Sequence, residues 1–291
     1  MRLAVRHQID STFAAPVRNL TRILRLTPRS HEGQHVADWQ IDVDVDCVLR
    51  AGEDGYGNIT HTFTARGPCE RLTVTVTGEV DNFDAAGVVR GSAERMPTDL
   101  FLRETPLTTA DDALRRFAGD AGGSGSPLGR LHALLEALHG TLAIGEGEGV
   151  PEVAAEAFAA GRGTSLGLAH AFTACARLLG VPARVTSGYY LCPDKGHGIR
   201  HAWSEAFVEG LGWTGFDVAH NLCPQENHVR LATGLDGLAA AHLRGVDTGA
   251  VTERLDMRAR FETSWTQSQS QGPGWQRQSQ GGQSQGGQSQ G

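Results

Sequence analysis

Residues 161–190 read "GRGTSLGLAHAFTACARLLGVPARVTSGYY". Two glycines precede Thr164 and Ser165, and an apolar run follows with Leu168, Phe172, Cys175 and Leu179 on one helical stripe. Gly180, Val181 and Pro182 end this helix, and residues 183–190 read as a strand. Ser165 therefore lies at or next to a helix N-terminus, where unpaired backbone N–H groups and the positive end of the helix dipole gather. Such a place favours an anion, a thiolate before attack or an oxyanion after it. A plainer reading makes Ser165 the N-cap, a position serine commonly fills.

Downstream, residues 200–221 read "RHAWSEAFVEGLGWTGFDVAHN". His201 opens a strand-like run to residue 208, a glycine turn follows, and Asp217 closes the next strand. Two adjacent antiparallel strands can bring a histidine beside an aspartate, giving a base and the carboxylate that orients it. The plainer readings are an edge-strand histidine and a turn-forming aspartate.

Upstream, "HVADWQIDVDVDCVLR" (35–50) alternates apolar and polar residues, and "GNITHTFTA" (57–65) and "ERLTVTVTGEV" (70–80) repeat the habit. Period two with Thr and Val predicts half-buried antiparallel strands, with "GEDGYGN" as a turn between two of them. From about residue 100 the texture becomes helical. Short helices are predicted at 111–117, at 127–142 with Ser126 as cap and Pro127 in the first turn, and at 150–161. Residues 235–243 read as helical, and 255–261 as a closing strand. The predicted fold is α+β: an antiparallel β-sandwich (1–95), then helices packed on an antiparallel sheet (96–265), then a disordered Gln/Ser/Gly-rich tail (266–291).

The formal net charge is -7 and no Lys/Arg run occurs, which argues against nucleic acid or an anionic membrane as partner. No apolar run reaches the ~18–20 residues of a membrane span, and "MRLAVRHQID" lacks a signal-peptide core. Five cysteines, an odd number without a CxxC pair, predict reduced thiols in a cytoplasmic protein.

Together these pieces resemble the transglutaminase-like superfamily with its papain-type fold, in the bacterial branch with an N-terminal β-domain. "GTSLGLAH" and "LLGVPARVTSGYY" stand where that family shows G-V-C-Q-D-F-A-H and G-I-P-A-R-x-V-S-G-Y. "HAWSEAFVEGLGWTGFDVAHN" matches its H-A-W-x-E-V-x-x-P-G-x-G-W-x-G-F-D-P, and "HVRLATGLDG" matches in part its H-I-R-V-A-x-G-R-D-Y. The N-terminal "GEDGYGNITHTF" resembles the family's leading domain. The resemblance implies His201 as catalytic base, Asp217 as its orienting carboxylate and Ser165 in the nucleophile position normally held by cysteine. It also implies the Ser165 N–H as an oxyanion donor, and packing roles for Tyr189 and Trp203.

Ser165 departs from the family, and so do Leu166-Gly167 (for Gln-Asp) and Leu235-Asp236-Gly237 (for Arg-Asp-Tyr). An alcohol cannot form the resting ion pair that a thiol forms with imidazolium. Cys175 is ten residues along the same helix, ~15 Å away, and cannot substitute. Several changes around one pocket favour a degenerate member that keeps a cleft for a peptide or protein ligand. The alternatives are an active serine amidase or peptidase using Ser165, His201 and Asp217, and a metal-binding module built from Cys192, His197, His201, His220, Cys223 and His228. The spacing of that last set matches no known zinc pattern, so no metal and no cofactor is expected.

Overall fold

The computed structural model describes residues 1–147, 149–194, 196–245 and 249–260, so the predicted tail lies outside the described residues. Two very long strands, β1 (Arg2–Thr27) and β4 (Ile59–Asn82), form the spine of the first sheet. β2 (Gln34–Val43) and β3 (Arg50–Glu53) pair with opposite ends of β4. Register shifts between Thr12 and Asn19 bend the β1/β4 ribbon. Its two halves then face each other across Ile9, Phe13, Leu24, Phe63 and Val74, one shared apolar cluster. The sandwich is thus a single sheet curled on itself. The two runs read separately as 57–65 and 70–80 are one continuous strand, because period-two patterning resumes after the bend.

A short strand, β5 (Val88–Val89), leads into the helical part. A 3-10 turn (Thr98–Leu102) precedes α1 (Asp112–Ala121) and α2 (Pro127–Thr141). Ser126 caps α2 by accepting from Gly129 N at 3.1 Å, with Pro127 in its first turn. A parallel pair of two-residue strands, β6 (Ala143–Ile144) and β7 (Arg162–Gly163), brackets α3 (Ala154–Ala160). α4 (Ser165–Leu178) follows. The sequence shows one apolar stripe on α4, yet every residue from Gly167 to Arg177 is buried. Small residues (Ala169, Ala171, Ala174, Ala176) let the helix be surrounded, by α1–α3 on one side and a second sheet on the other.

That sheet has the order β11-β8-β9-β10-β5, all antiparallel, with β8 (Ala183–Leu191), β9 (Gly198–Val208), β10 (Gly212–Phe216) and β11 (His228–Gly234). Residues 235–243, expected to be helical, form turns and bends that lead into a short strand at Leu243. Asp236 closes one turn by accepting from Ala239 N (2.9 Å) and Ala240 N (3.0 Å). The chain then folds back so tightly that a Cβ on Gly234 would lie 2.4 Å from that of Ala239. Two strands, β12 (Leu243–Arg244) and β13 (Gly249–Arg260), return to pair with β1 in the first sheet. The closing strand therefore starts earlier than its 255–261 reading.

The two sheets meet through Leu3, Val5, Val80 and Met257 on one and Tyr189, Leu191, Val229 and Leu231 on the other. β11 is an edge strand, and three buried amides from the first sheet cover it. Asn82 donates to His228 O (2.6 Å), Gln34 exchanges two bonds with Arg230 (2.8 and 3.0 Å), and Asn58 exchanges two with Thr233 (2.7 and 2.8 Å). These bonds replace those of a neighbouring strand. Among the described residues no helix is long and apolar enough to cross a membrane.

The register of the second sheet is pinned by charge. Glu205 on β9 is fully buried and bonds Arg184 of β8 (2.8 Å) and Arg230 of β11 (2.7 and 3.2 Å). Burial favours the neutral acid, but the two guanidiniums outweigh it and hold the carboxyl far below its ordinary range. Glu205→Gln leaves two buried cations undercompensated and should lower unfolding free energy by about 3 kcal/mol. A depressed carboxylate contributes its full stability above its unfolded pKa of about 4.3 and loses it as the pH falls. The Tm gap between wild type and Glu205→Gln, followed by circular dichroism, should therefore narrow between about pH 6 and pH 3. A gap that stays constant would refute this ionisation.

Candidate active site

Thr164, not Ser165, caps α4: its Oγ1 accepts from Gly167 N at 3.1 Å. The N-cap reading of Ser165 is thereby corrected, and the Ser165 hydroxyl is left free of that task. The N–H groups of Ser165 and Leu166 are in the first turn, where no carbonyl of the helix reaches them. α4 is tied to β9 by Ser204, whose Oγ donates to Ala169 O at 2.8 Å and lies 3.0 Å from Thr173 Oγ1. Strand alternation turns Ala202, Ser204 and Ala206 toward α4 and sets His201, Trp203 and Glu205 on the other face.

His201 Nε2 lies 2.8 Å from Asp217 Oδ2, and both side chains are buried. Asp217 ends β10 at a tight turn: Asp217 N donates to Leu222 O (2.8 Å), Ala219 N donates to Asp217 Oδ1 (3.0 Å), and Asn221 takes φ 53°. The turn swings His220 back so that its Nδ1 lies 2.8 Å from Asp217 Oδ2. His228, at the start of β11, brings its Nε2 within 3.1 Å of the same oxygen. Burial would raise the Asp217 carboxyl, but His201 and the hydrogen bonds of all three imidazoles hold it well below the usual range. Burial lowers His228, with Asp217 opposing. The donor atoms of these four residues all lie within 4.8 Å of one another, a set able to hold a metal ion.

Ser165 and His201 line one cleft of about 450 Å³, walled also by Glu152, Leu166, Gly237 and Leu238. His170 fixes both walls. Its Nδ1 donates to Glu152 O (2.6 Å) and its Nε2 accepts from Gly237 N (2.9 Å), so a single neutral tautomer satisfies both. Burial lowers the pKa of His170 in keeping with that state. Arg177 supports the second wall by donating to Leu235 O at 2.6 Å.

The departures from the family pattern are packed against one another. A Cβ on Gly167 would lie 2.4 Å from Pro151 O, and one on Gly237 would lie 2.7 Å from a Leu166 methyl. The loop bearing Glu152 closes onto the first glycine, and Leu166 fills the space beside the second.

Of the other expected residues, Trp203 packs beside His201 (6.2 Å between ring centroids) and edge-on to His228 (5.4 Å). Tyr189 packs on His7 and His242 instead. Tyr190 was missed by the sequence reading; its ring covers His201, His220 and His228 at 5.4, 4.1 and 4.7 Å. His170 was missed too, although "AH" lies inside the quoted motif. Cys175 is buried in the helical core, which pushes its thiol up to about 12. Cys192, His197 and Cys223 do not join the donors around Asp217.

Comparison with known proteins agrees with this architecture. Residues 3–81 match the bacterial transglutaminase-like N-terminal region, and residues 115–218 match the transglutaminase-like superfamily. The chain belongs to the transglutaminase-like superfamily and carries both its core domain and the bacterial N-terminal region. It is 24% identical to Uncharacterized protein ML0607 of Mycobacterium leprae (strain TN), over 88% of this chain and 96% of that one. Its fold is similar to that of a "Putative Cysteine Protease" from Cytophaga hutchinsonii, with TM-score 0.69 and 20% identity over 88% of this chain and 90% of the other. The periplasmic domain of TgpA from Pseudomonas aeruginosa is more distant, with TM-score 0.38 and 17% identity over 76% of this chain and 90% of that one.

Gly167→Ala should destabilise the protein by about 2 kcal/mol, because the added methyl collides with a backbone carbonyl. Gly119→Ala on α1 meets nothing within 4 Å and should be neutral or stabilising by up to about 1 kcal/mol. Urea unfolding of both variants checks the pair. Equal stability would mean that the Pro151 loop yields freely.

Proposed function

We propose that this protein binds a peptide or protein segment in the Ser165/His201 cleft and is a catalytically impaired member of its superfamily, with serine in the nucleophile position. One observation carries the reading. His201 Nδ1, the nitrogen turned away from Asp217, is buried and has no hydrogen-bond partner among the described residues. Ser165 Oγ is therefore not bonded to its base. A thiol can be drawn into an ion pair with imidazolium, whereas an alcohol needs the base within about 2.6–3.2 Å as its proton leaves. Leu238 and Val251 line the cleft 61% and 41% exposed, which suits a ligand with apolar side chains. An odd number of cysteines without a CxxC pair suits a reducing compartment, and we propose a cytoplasmic location.

A second reading, a serine amidase or peptidase using Ser165, His201 and Asp217, is favoured by a separate observation: the Ser165 hydroxyl is not spent as a cap and faces the same cleft as His201. A fluorophosphonate probe separates the two. Wild-type protein should remain unlabelled, and Ser165→Cys should gain no amide-cleaving or acyl-transfer activity. Labelling at Ser165 that disappears in His201→Ala would establish the serine enzyme. Activity arising in Ser165→Cys alone would show that the nucleophile is the sole loss, contrary to the impaired-site reading.

A further inference from the structure

Glu205 and Asp217 are both fully buried, and their surroundings differ in kind. Glu205 faces two guanidiniums. Asp217 has imidazoles as its ion-pair partners among the described residues: His201, His220 and His228. The three imidazole nitrogens converge on one carboxylate oxygen, and all four donor atoms lie within 4.8 Å of one another.

We propose that His201, His220, His228 and Asp217 form a binding site for one divalent transition-metal ion of the zinc type. Three imidazole nitrogens and one carboxylate oxygen are a common donor set for zinc and cobalt. Metal–ligand bonds of about 2.0–2.1 Å place ligands about 3.4 Å apart in a tetrahedron. The three nitrogens lie 2.8, 2.8 and 3.1 Å from Asp217 Oδ2, so the set must open by about 0.5 Å to admit the ion. The element able to yield is the turn carrying His220, whose side chain is 26% exposed while the other three are at most 2%. That turn is also the path of entry. Tyr190 and Trp203 pack against the imidazoles and keep the remaining sides apolar.

The protons balance without any leaving the protein. Each neutral imidazole binds metal through the nitrogen nearest Asp217 and carries its proton on the other. For His228 that second nitrogen, Nδ1, accepts from Gln225 N at 3.2 Å and lies 3.1 Å from Asn227 Oδ1, so ligation through Nε2 requires Nδ1 to give up the Gln225 bond and donate to Asn227 instead. For His201 the second nitrogen faces away from Asp217 and has no partner among the described residues. Ligation through Nε2 thus turns His201 Nδ1 from a base into a donor, as suits binding to a peptide carbonyl rather than deprotonating Ser165. Metal binding is read on its own, because in the metal-free protein His201 Nδ1 keeps its lone pair whatever Ser165 does.

The test uses the full chain, stripped with chelator and titrated with Co²⁺ and Zn²⁺. One equivalent of Co²⁺ should bind with the intense visible absorption of a tetrahedral site, Zn²⁺ should displace it, and Zn²⁺ should raise the Tm. His220→Ala, at the exposed corner, should fold with a metal-free Tm lowered only by the loss of one hydrogen bond to Asp217, and should weaken binding at least tenfold. His35→Ala, on exposed β2, should bind as the wild type does. Absence of one-to-one binding overturns the proposal, and so does undiminished binding by His220→Ala. Probe labelling of Ser165 reads a different property, so the two proposals fail separately.

Discussion

The position of His201 depends on the ion cluster of Arg184, Glu205 and Arg230. Removing a carboxylate from water costs several kcal/mol, and two guanidiniums with three hydrogen bonds offset that cost. Because the three residues come from β8, β9 and β11, the cluster forms in a single register. A slip of one residue would turn every side chain of β9 to the opposite face and carry His201 away from Asp217. Arg184 is held further by its stacking 3.9 Å over Trp213 of β10 and by Glu94. Ser204 fastens the other face of β9 to α4. The strand that bears the histidine is thus fixed on both faces within four residues of it.

The N-terminal sheet completes this frame. Its buried amides Gln34, Asn58 and Asn82 pair with the backbone of β11, so a region of the curled sheet acts as the neighbour that the edge strand lacks. Asn82 binds the carbonyl of His228 itself, which sets the height at which that imidazole meets Asp217. This explains in physical terms why the two matched regions occur in one chain: the second sheet's outer strand depends on donors and acceptors supplied by the first.

Much of this was legible in the sequence. Alternating Thr and Val marked the strands, Ser126-Pro127 marked a helix start, and the spacing of His201 and Asp217 across a glycine turn marked two adjacent strands. Position 165 was read as a helix start, though the neighbouring Thr164 takes the capping role, since both residues are good caps and only φ and ψ choose between them. Residues 235–243 look helical because Leu and Ala are good helix formers, but Asp236 and the contact of Gly234 with Ala239 end the turn after one cycle. The convergence of His220 and His228 was not legible as geometry. Their spacings gave no zinc pattern because the donors arrive from three separate segments, and the fourth is an aspartate already assigned to His201. Tyr190 was hidden by alternation: its neighbour Tyr189 faces the sheet interface, and the sequence alone does not say which of two adjacent tyrosines turns toward the site.

The residues beside Ser165 are coupled to one another through close packing. Leu166 occupies space that a side chain at position 237 would need, and Gly167 permits a carbonyl approach that any side chain at position 167 would forbid. Both walls are then fixed by one histidine, whose two nitrogens bond Glu152 and Gly237. In a close-packed interior such contacts are coupled, so restoring one residue without its partner creates a clash or a void. A thiol placed at position 165 would enter a cleft whose nearest wall contacts are those of Leu166 with Gly237 and of Gly167 with Pro151. On that ground a substitution at position 165 has to be read together with the packing of both walls.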